Sequence, residues 1–166
     1  MTLATCGASG QTSARMVLLR GLDARGLVFY TNLNSRKSRQ IRENPRAALC
    51  FYWPSLAEQI LIEGEVETID DAEADAYWKT RPRNSRIGSW ASRQSEPMMS
   101  RFTFLRRVVA WTAWFGSERI PRPSFWSGYR VVPSRIEFWI NRPFRLHKRL
   151  CFEREGETWT RRVLYP

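Results

Sequence analysis

Along this 166-residue chain, apolar and polar positions mostly fall in short runs or alternate with the two-residue period of strands. Residues 1–5 read as a strand, followed by a turn at Gly7, Ala8, Ser9 and Gly10. Met16, Val17, Leu18 and Leu19 form a second apolar run, and residues 27–31 form a third. Asp23-Ala24-Arg25-Gly26 between them supplies turn chemistry, so the spacing predicts a hairpin of these two runs. Residues 46–53 are a mostly apolar strand ended by Pro54. In 59–69, Ile60, Ile62 and Val66 are set against Glu63, Glu65 and Glu67, with Gly64 marking an expected bulge. Past an irregular segment around Pro121 and Pro123, strand-like runs return at 129–132 and 136–140. Residues 144–153 and 158–164 predict a last hairpin around Glu155-Gly156.

Helical patterns are fewer. Asn34 or Ser35 caps a helix that stops before Pro45, and Asp70 with Glu73 makes a capping box for a helix through Tyr77 and Trp78, broken at Pro82. A short helix starts at Asn84 or Ser85 and runs to about Arg93. Residues 97–116 carry two apolar stripes, one of Met98, Phe102, Leu105 and Val109, the other of Phe104, Val108, Trp111 and Phe115. A helix apolar on two faces is expected to bury one against the core and the other against a second subunit. Many strands with few interleaved helices predict a mainly β fold, a closed or nearly closed antiparallel barrel with peripheral helices, as one domain over 1–166.

Composition narrows the partners. Twenty-seven Lys and Arg against 16 Asp and Glu give a formal charge of +11, which favours anionic ligands. Cys6, Cys50 and Cys151 share no metal-ligand spacing and are expected to be buried free thiols in a reducing cytoplasm. With no signal peptide and no apolar run long enough for a bilayer, neither secretion nor a membrane is expected. The basic residues are dispersed, so a nucleic-acid module is disfavoured.

No P-loop, G-x-G-x-x-G or G-x-S-x-G occurs, and a single histidine, His147, leaves a histidine-based metal site improbable; no metal is expected. Cations stand at element ends instead. Arg15 and Arg20 flank the second apolar run, and Arg36 and Lys37 open the first helix, where a phosphate would satisfy both side chains and backbone amides. A solvated basic helix face fits those positions equally well. Tyr77, Arg81 and Ser85 recur every fourth residue and have the chemistry of a phosphate cradle, although spacing alone favours a surface patch at a helix end. Gln59 and Gln94-Ser95 add groups able to read a heteroaromatic edge. Arg145, His147 and Arg149 alternate, which places them on one face of a strand, facing a ligand.

The blocks RMVLLR, VFYTNLNSRKSRQIRENPRAAL, YWKTRPRNSRIGSWASRQS, PSFWSGYRV, IEFW and RLHKR, in this order, resemble the pyridoxine (pyridoxamine) 5′-phosphate oxidase family. A phenazine-biosynthesis branch of the same superfamily is similar too. The resemblance implies an FMN-binding split barrel, homodimeric, with FMN at the subunit interface and 124–166 as dimerisation and substrate region. It implies FMN contacts from Arg15, Met16, Val17, Leu18, Leu19, Arg20, Tyr30, Thr31, Arg36, Lys37, Gln59, Gln94, Ser95, Trp139 and Arg149. Arg20, Tyr77, Arg81 and Ser85 would take the substrate, Arg145 and His147 would act at its pyridine ring, and the substrate would be a phosphorylated pyridine oxidised at the expense of O2.

Four features depart from the family pattern. The chain begins at the first barrel strand without the family's N-terminal extension, and Arg20 and Lys148 stand where a lysine and an acidic residue are usual. The helix at 101–115 is apolar where the family is charged. They keep a second class in view, an FMN or pyridoxal-phosphate binder with impaired turnover.

Overall fold

The computed structural model describes all residues from Met1 to Pro166. In chain order the elements are β1 (Thr2–Cys6), β2 (Thr12–Met16), β3 (Gly21–Asp23), β4 (Gly26–Asn32), α1 (Arg36–Glu43), β5 (Arg46–Trp53) and β6 (Glu58–Thr68). Then follow α2 (Asp71–Thr80), α3 (Arg83–Ala91), α4 (Arg101–Phe115), β7 (Trp126–Ile140), β8 (Lys148–Glu155) and β9 (Thr158–Leu164). Contacts divide the chain into two compact units: Met1–Phe29, Gln40–Glu67 and Tyr129–Pro166 form the first, Tyr30–Arg39 and Thr68–Gly128 the second.

The first unit carries the sheet, in the order β2-β1-β5-β6-β7-β4-β3, with β8 added to β7 and β9 to β8. Its core is Leu3, Leu27, Val28, Phe29, Leu49, Ile62 and Val131. β5 and β6 pair without interruption from Arg46↔Glu65 to Trp53↔Glu58, so Gly64 marks no bulge in that ladder. Instead a Cβ at Gly64 would lie 2.0 Å from the Val132 carbonyl oxygen, and one at Gly26 would lie 2.2 Å from that of Val131. These glycines let neighbouring backbone come closer than any side chain permits.

Three strand expectations change. The turn at Asp23–Gly26 is in place, but its first strand is β3, not residues 16–19. Thr12–Met16 pairs with β1 instead, and residues 17–20 bridge the two ladders: Val17 exchanges backbone bonds with Met1, and the Arg20 amide donates to Val28 O. The apolar run misled because Met16 and Leu18 are exposed, so its hydrophobicity does not report burial in a hairpin. The two runs expected at 129–132 and 136–140 are one strand through Pro133; its first half is buried throughout, and its second pairs with β8. Finally, residues 143–145 form a single 3-10 turn with Phe144 and Arg145 at positive φ, and β8 starts only at Lys148. Arg145 and His147 therefore do not share a strand face with Arg149.

The second unit packs α2, α3 and α4 around Trp78, Ile87, Phe115, Ile120 and Trp126. Asp70 caps α2 by accepting the Glu73 amide, as the capping box predicts, and Ser100 caps α4. Of the two stripes on α4, Val108, Trp111 and Phe115 pack on this core, while Phe102, Leu105 and Val109 are exposed. Cys151 is buried; Cys6 and Cys50, expected buried, are only half so, and all three are free thiols. No helix is long and apolar enough to cross a membrane.

Candidate functional site

In the second unit the start of α1 gathers five of the sequence-predicted residues, Thr31, Arg36, Lys37, Gln94 and Ser95. The Lys37 side chain is 9% exposed, and its Nζ donates to Thr31 Oγ1 at 2.9 Å, Ser35 Oγ at 3.1 Å and Gln94 Oε1 at 3.0 Å. Those three acceptors are neutral, so the ammonium's charge is solvated rather than cancelled by them, which suits a site that receives an anion. Thr31 Oγ1 donates on to Gln94 Oε1, and the Arg36 amide, at the helix start, donates to Ser95 Oγ at 3.1 Å. Ser95 holds a left-handed φ of 74°, the kind of non-glycine strain that gathers at binding loops. Ser35 was not singled out from sequence; its position as α1's cap concealed its second role.

A few residues away the rings of Tyr30 and Tyr77 stack at 3.9 Å, and Tyr30 also stacks on Trp126 at 5.3 Å. The Arg81 guanidinium lies 4.7 Å from the Trp126 ring and 5.0 Å from that of Trp78. It donates to Ser89 Oγ at 2.8 Å and to the Ser85 carbonyl at 3.3 Å. Tyr77, Arg81 and Ser85 do converge, and the two tryptophans and Ser89 complete the cluster. Ser89 continues the same four-residue series and could have been found by it. The tryptophans could not, because nothing in the spacing brings residue 126 to residue 81.

In the first unit Arg15 is braced rather than loose: it donates to the Leu3 carbonyl, to Thr5 Oγ1 at 2.6 Å and to Ser13 Oγ. Both hydroxyls donate in turn to the buried Gln40 Oε1 at 2.7 Å. Arg20 is exposed. Gln59 and Trp139 line one cleft of about 280 Å³ with Trp53, Leu56 and Phe138. The Trp139 ring is 4.7 Å from that of His147, whose Nδ1 accepts the Arg142 amide at 3.3 Å, so the neutral ring carries its proton on Nε2. Arg145 is exposed and makes no hydrogen bond.

Arg149 sits opposite Trp139 on β8, and its Nε donates at 2.7 Å to Glu137 Oε1. Glu137, 2% exposed, accepts from Arg135 Nη2 through its other oxygen, also at 2.7 Å. The Arg149 hydrogen bond, then that of Arg135, holds the Glu137 carboxyl below its ordinary 4.5 against the opposing effect of burial. The folded carboxyl binds a proton less readily than the unfolded one, so its stabilisation is complete above pH 4.5 and lost as the pH falls through the folded value. Urea midpoints of the wild type and Glu137→Gln should accordingly differ most above pH 4.5 and draw together as the pH is lowered below it. A constant gap would contradict the ionised pair.

Residues 1–115 match the family described as pyridoxamine 5′-phosphate oxidase, and residues 126–166 match the C-terminal dimerisation region of pyridoxine 5′-phosphate oxidase. Over 171 residues the chain is 53% identical to a pyridoxine/pyridoxamine 5′-phosphate oxidase of Rhodospirillum rubrum, covering 100% of this chain and 85% of that protein. A protein of the same description from Alkalilimnicola ehrlichii is 55% identical over 166 residues, covering 99% and 85%. Among solved structures, PhzG of Burkholderia lata, in complex with tetrahydrophenazine-1-carboxylic acid, superposes with a TM-score of 0.94 at 33% identity, covering 99% of this chain and 81% of that one. A pyridoxamine 5′-phosphate oxidase-related, FMN-binding protein of Nostoc punctiforme shares the fold, with a TM-score of 0.79 at 21% identity over 99% and 87%.

Proposed function

The chain belongs to the pyridoxamine 5′-phosphate oxidase family of split-barrel flavoproteins, and from that membership we propose that it is an FMN-dependent pyridoxine/pyridoxamine 5′-phosphate oxidase. Pyridoxine 5′-phosphate with O2 gives pyridoxal 5′-phosphate and H2O2; pyridoxamine 5′-phosphate with O2 and water gives the same products and ammonia. The single observation that carries this reading is identity of 53% and 55% to proteins of that description along essentially the whole chain. The phenazine-type reading, resting on a relative at 33%, is not favoured. The dimerisation-region match supports a homodimer, and three free thiols suit a reducing cytoplasm.

The donor set fits FMN. A buried ammonium among neutral oxygens beside a helix start is matched to a phosphate, and the proposal assigns Lys37, Arg36, Thr31, Gln94 and Ser95 to holding it. Arg15, residues 16–20, Tyr30, Gln59, Trp139 and Arg149 complete the assigned FMN contacts. Bound there, FMN would supply the two-electron redox chemistry that links the substrate to O2. The chain's own part is positional: Tyr77, Arg81 and Ser85 hold the substrate phosphate, while Arg145 and the Nε2–H of His147 orient the pyridine ring. Arg20 at the substrate's edge supplies a planar fork rather than a point charge.

Purified protein loaded with FMN should bleach anaerobically on addition of pyridoxine 5′-phosphate and form H2O2 when air is admitted. A flavin that stays oxidised with both phosphorylated substrates would refute the oxidase assignment. Arg81→Lys, which keeps the charge but loses the bidentate fork, should raise KM about tenfold with a smaller change in kcat. An unchanged KM in steady-state assays would remove Arg81 from the substrate site.

A further inference from the structure

The geometry points to Glu137 as a positioning residue for the cofactor: its buried carboxylate sets the direction of the Arg149 guanidinium. The inference rests on the reading that Arg149 contacts FMN. Residues 135, 137 and 139 share one face of β7, and the β7–β8 register sets them opposite Glu153, Cys151 and Arg149. Glu137 thus reaches Arg149 diagonally, past the small, buried Cys151, from beside Trp139. Three anchors then determine where the guanidinium points. Nε donates to Glu137, Nη1 donates to the Tyr165 carbonyl at 3.1 Å, and the aliphatic stem is fixed by the strand. Nη2 has no hydrogen bond in the structure, so it is the nitrogen presented to a ligand.

The second carboxylate oxygen explains why an acid sits there at all. Arg135 donates to Glu137 at 2.7 Å and to Glu63 at 3.0 Å, and approaches Glu153 at 3.7 Å. A carboxylate held from both sides cannot rotate to follow Arg149, so Arg149 must conform to it. The Glu137 carboxylate is thereby shared between two guanidiniums, and Arg135 is further neutralised by Glu63 and Glu153. Nη2 of Arg149, on a side chain 31% exposed, bonds no protein group and is open to solvent or to a ligand.

The test measures the FMN dissociation constant by quenching of flavin fluorescence, with thermal melting of each apoprotein recorded alongside. Arg149→Ala and Glu137→Gln should each weaken FMN about tenfold, and adding Glu137→Gln to Arg149→Ala should weaken it no further. Where Glu137→Gln fails to fold, Glu137→Asp keeps the charge while withdrawing from both contacts, and the same comparison is made with it. Normal FMN affinity in the Glu137 variants beside a weakened Arg149→Ala overturns the positioning role. So does a loss that adds fully to that of Arg149→Ala, because that outcome is a general structural effect. An unchanged affinity in Arg149→Ala itself would instead remove the underlying FMN contact, a result distinct from the first two.

Discussion

Replacing Lys37 by methionine should weaken FMN binding by about ten- to a hundredfold while leaving the apoprotein as stable as before, or slightly more so. The two halves of this expectation have different causes. A charge-assisted hydrogen bond to a phosphate contributes about 1.5–3 kcal/mol, and every 1.4 kcal/mol is about tenfold in affinity. In the apoprotein the ammonium is buried among Thr31, Ser35 and Gln94, whose oxygens are dipoles and not charges. Desolvating it costs free energy that a methionine of similar length avoids. Thr31 Oγ1 keeps its bond to Gln94 Oε1, so the network does not collapse with the lysine. Flavin titration and thermal melting of the same sample check both halves. A variant that loses stability and keeps its FMN affinity would make Lys37 a structural residue.

Gly64→Ala should prevent stable folding, with a loss of about 3 kcal/mol or more, and Gly26→Ala should do the same. At Gly64 the added carbon would stand 2.0 Å from Val132 O and 2.8 Å from its carbon, both backbone atoms of β7. No rotamer change relieves a clash with backbone, so strands β6 and β7 would have to separate just past the fully buried stretch of β7. Gly26 adds a second difficulty, a φ of 141° that side-chain-bearing residues avoid. Chemical denaturation of the soluble fraction measures the loss. A Gly64→Ala protein within about 1 kcal/mol of the wild type would mean that the strands yield more easily than close packing allows.

Several elements of the fold were legible because their signals are local. The Asp70 cap, the strand at Arg46–Trp53 and the stop before Pro45 each depend on residues within one turn or one strand of each other. The Tyr77, Arg81 and Ser85 series is visible in the same local way, its four-residue spacing surviving the break at Pro82, although spacing alone favours a surface patch there. Gly64 shows where local reading ends: a glycine in a strand signals either a bulge or a close approach, and only the neighbour, Val132, far away in sequence, distinguishes them. Residues 16–19 were misread for a related reason, since an apolar run reports hydrophobicity, not which ladder takes it or whether Met16 and Leu18 face solvent.

By itself, the sequence determined the fold class and the resemblance that named FMN and a phosphorylated pyridine, and it offered the two basic clusters only as candidates, because composition, period and motif order are properties of the chain alone. Tertiary structure decided which groups act together. It stacked Tyr30 on Tyr77, set the Arg81 guanidinium against Trp78 and Trp126, and buried Lys37 among neutral oxygens. It also took Arg145 and His147 off the strand on which alternation had placed them, and joined Glu137 to Arg149 across a strand register. The physical reason is one of range. Propensity and capping act over a few residues, whereas a charge's environment is set by whichever side chains the backbone brings within a few ångströms, however distant in the chain.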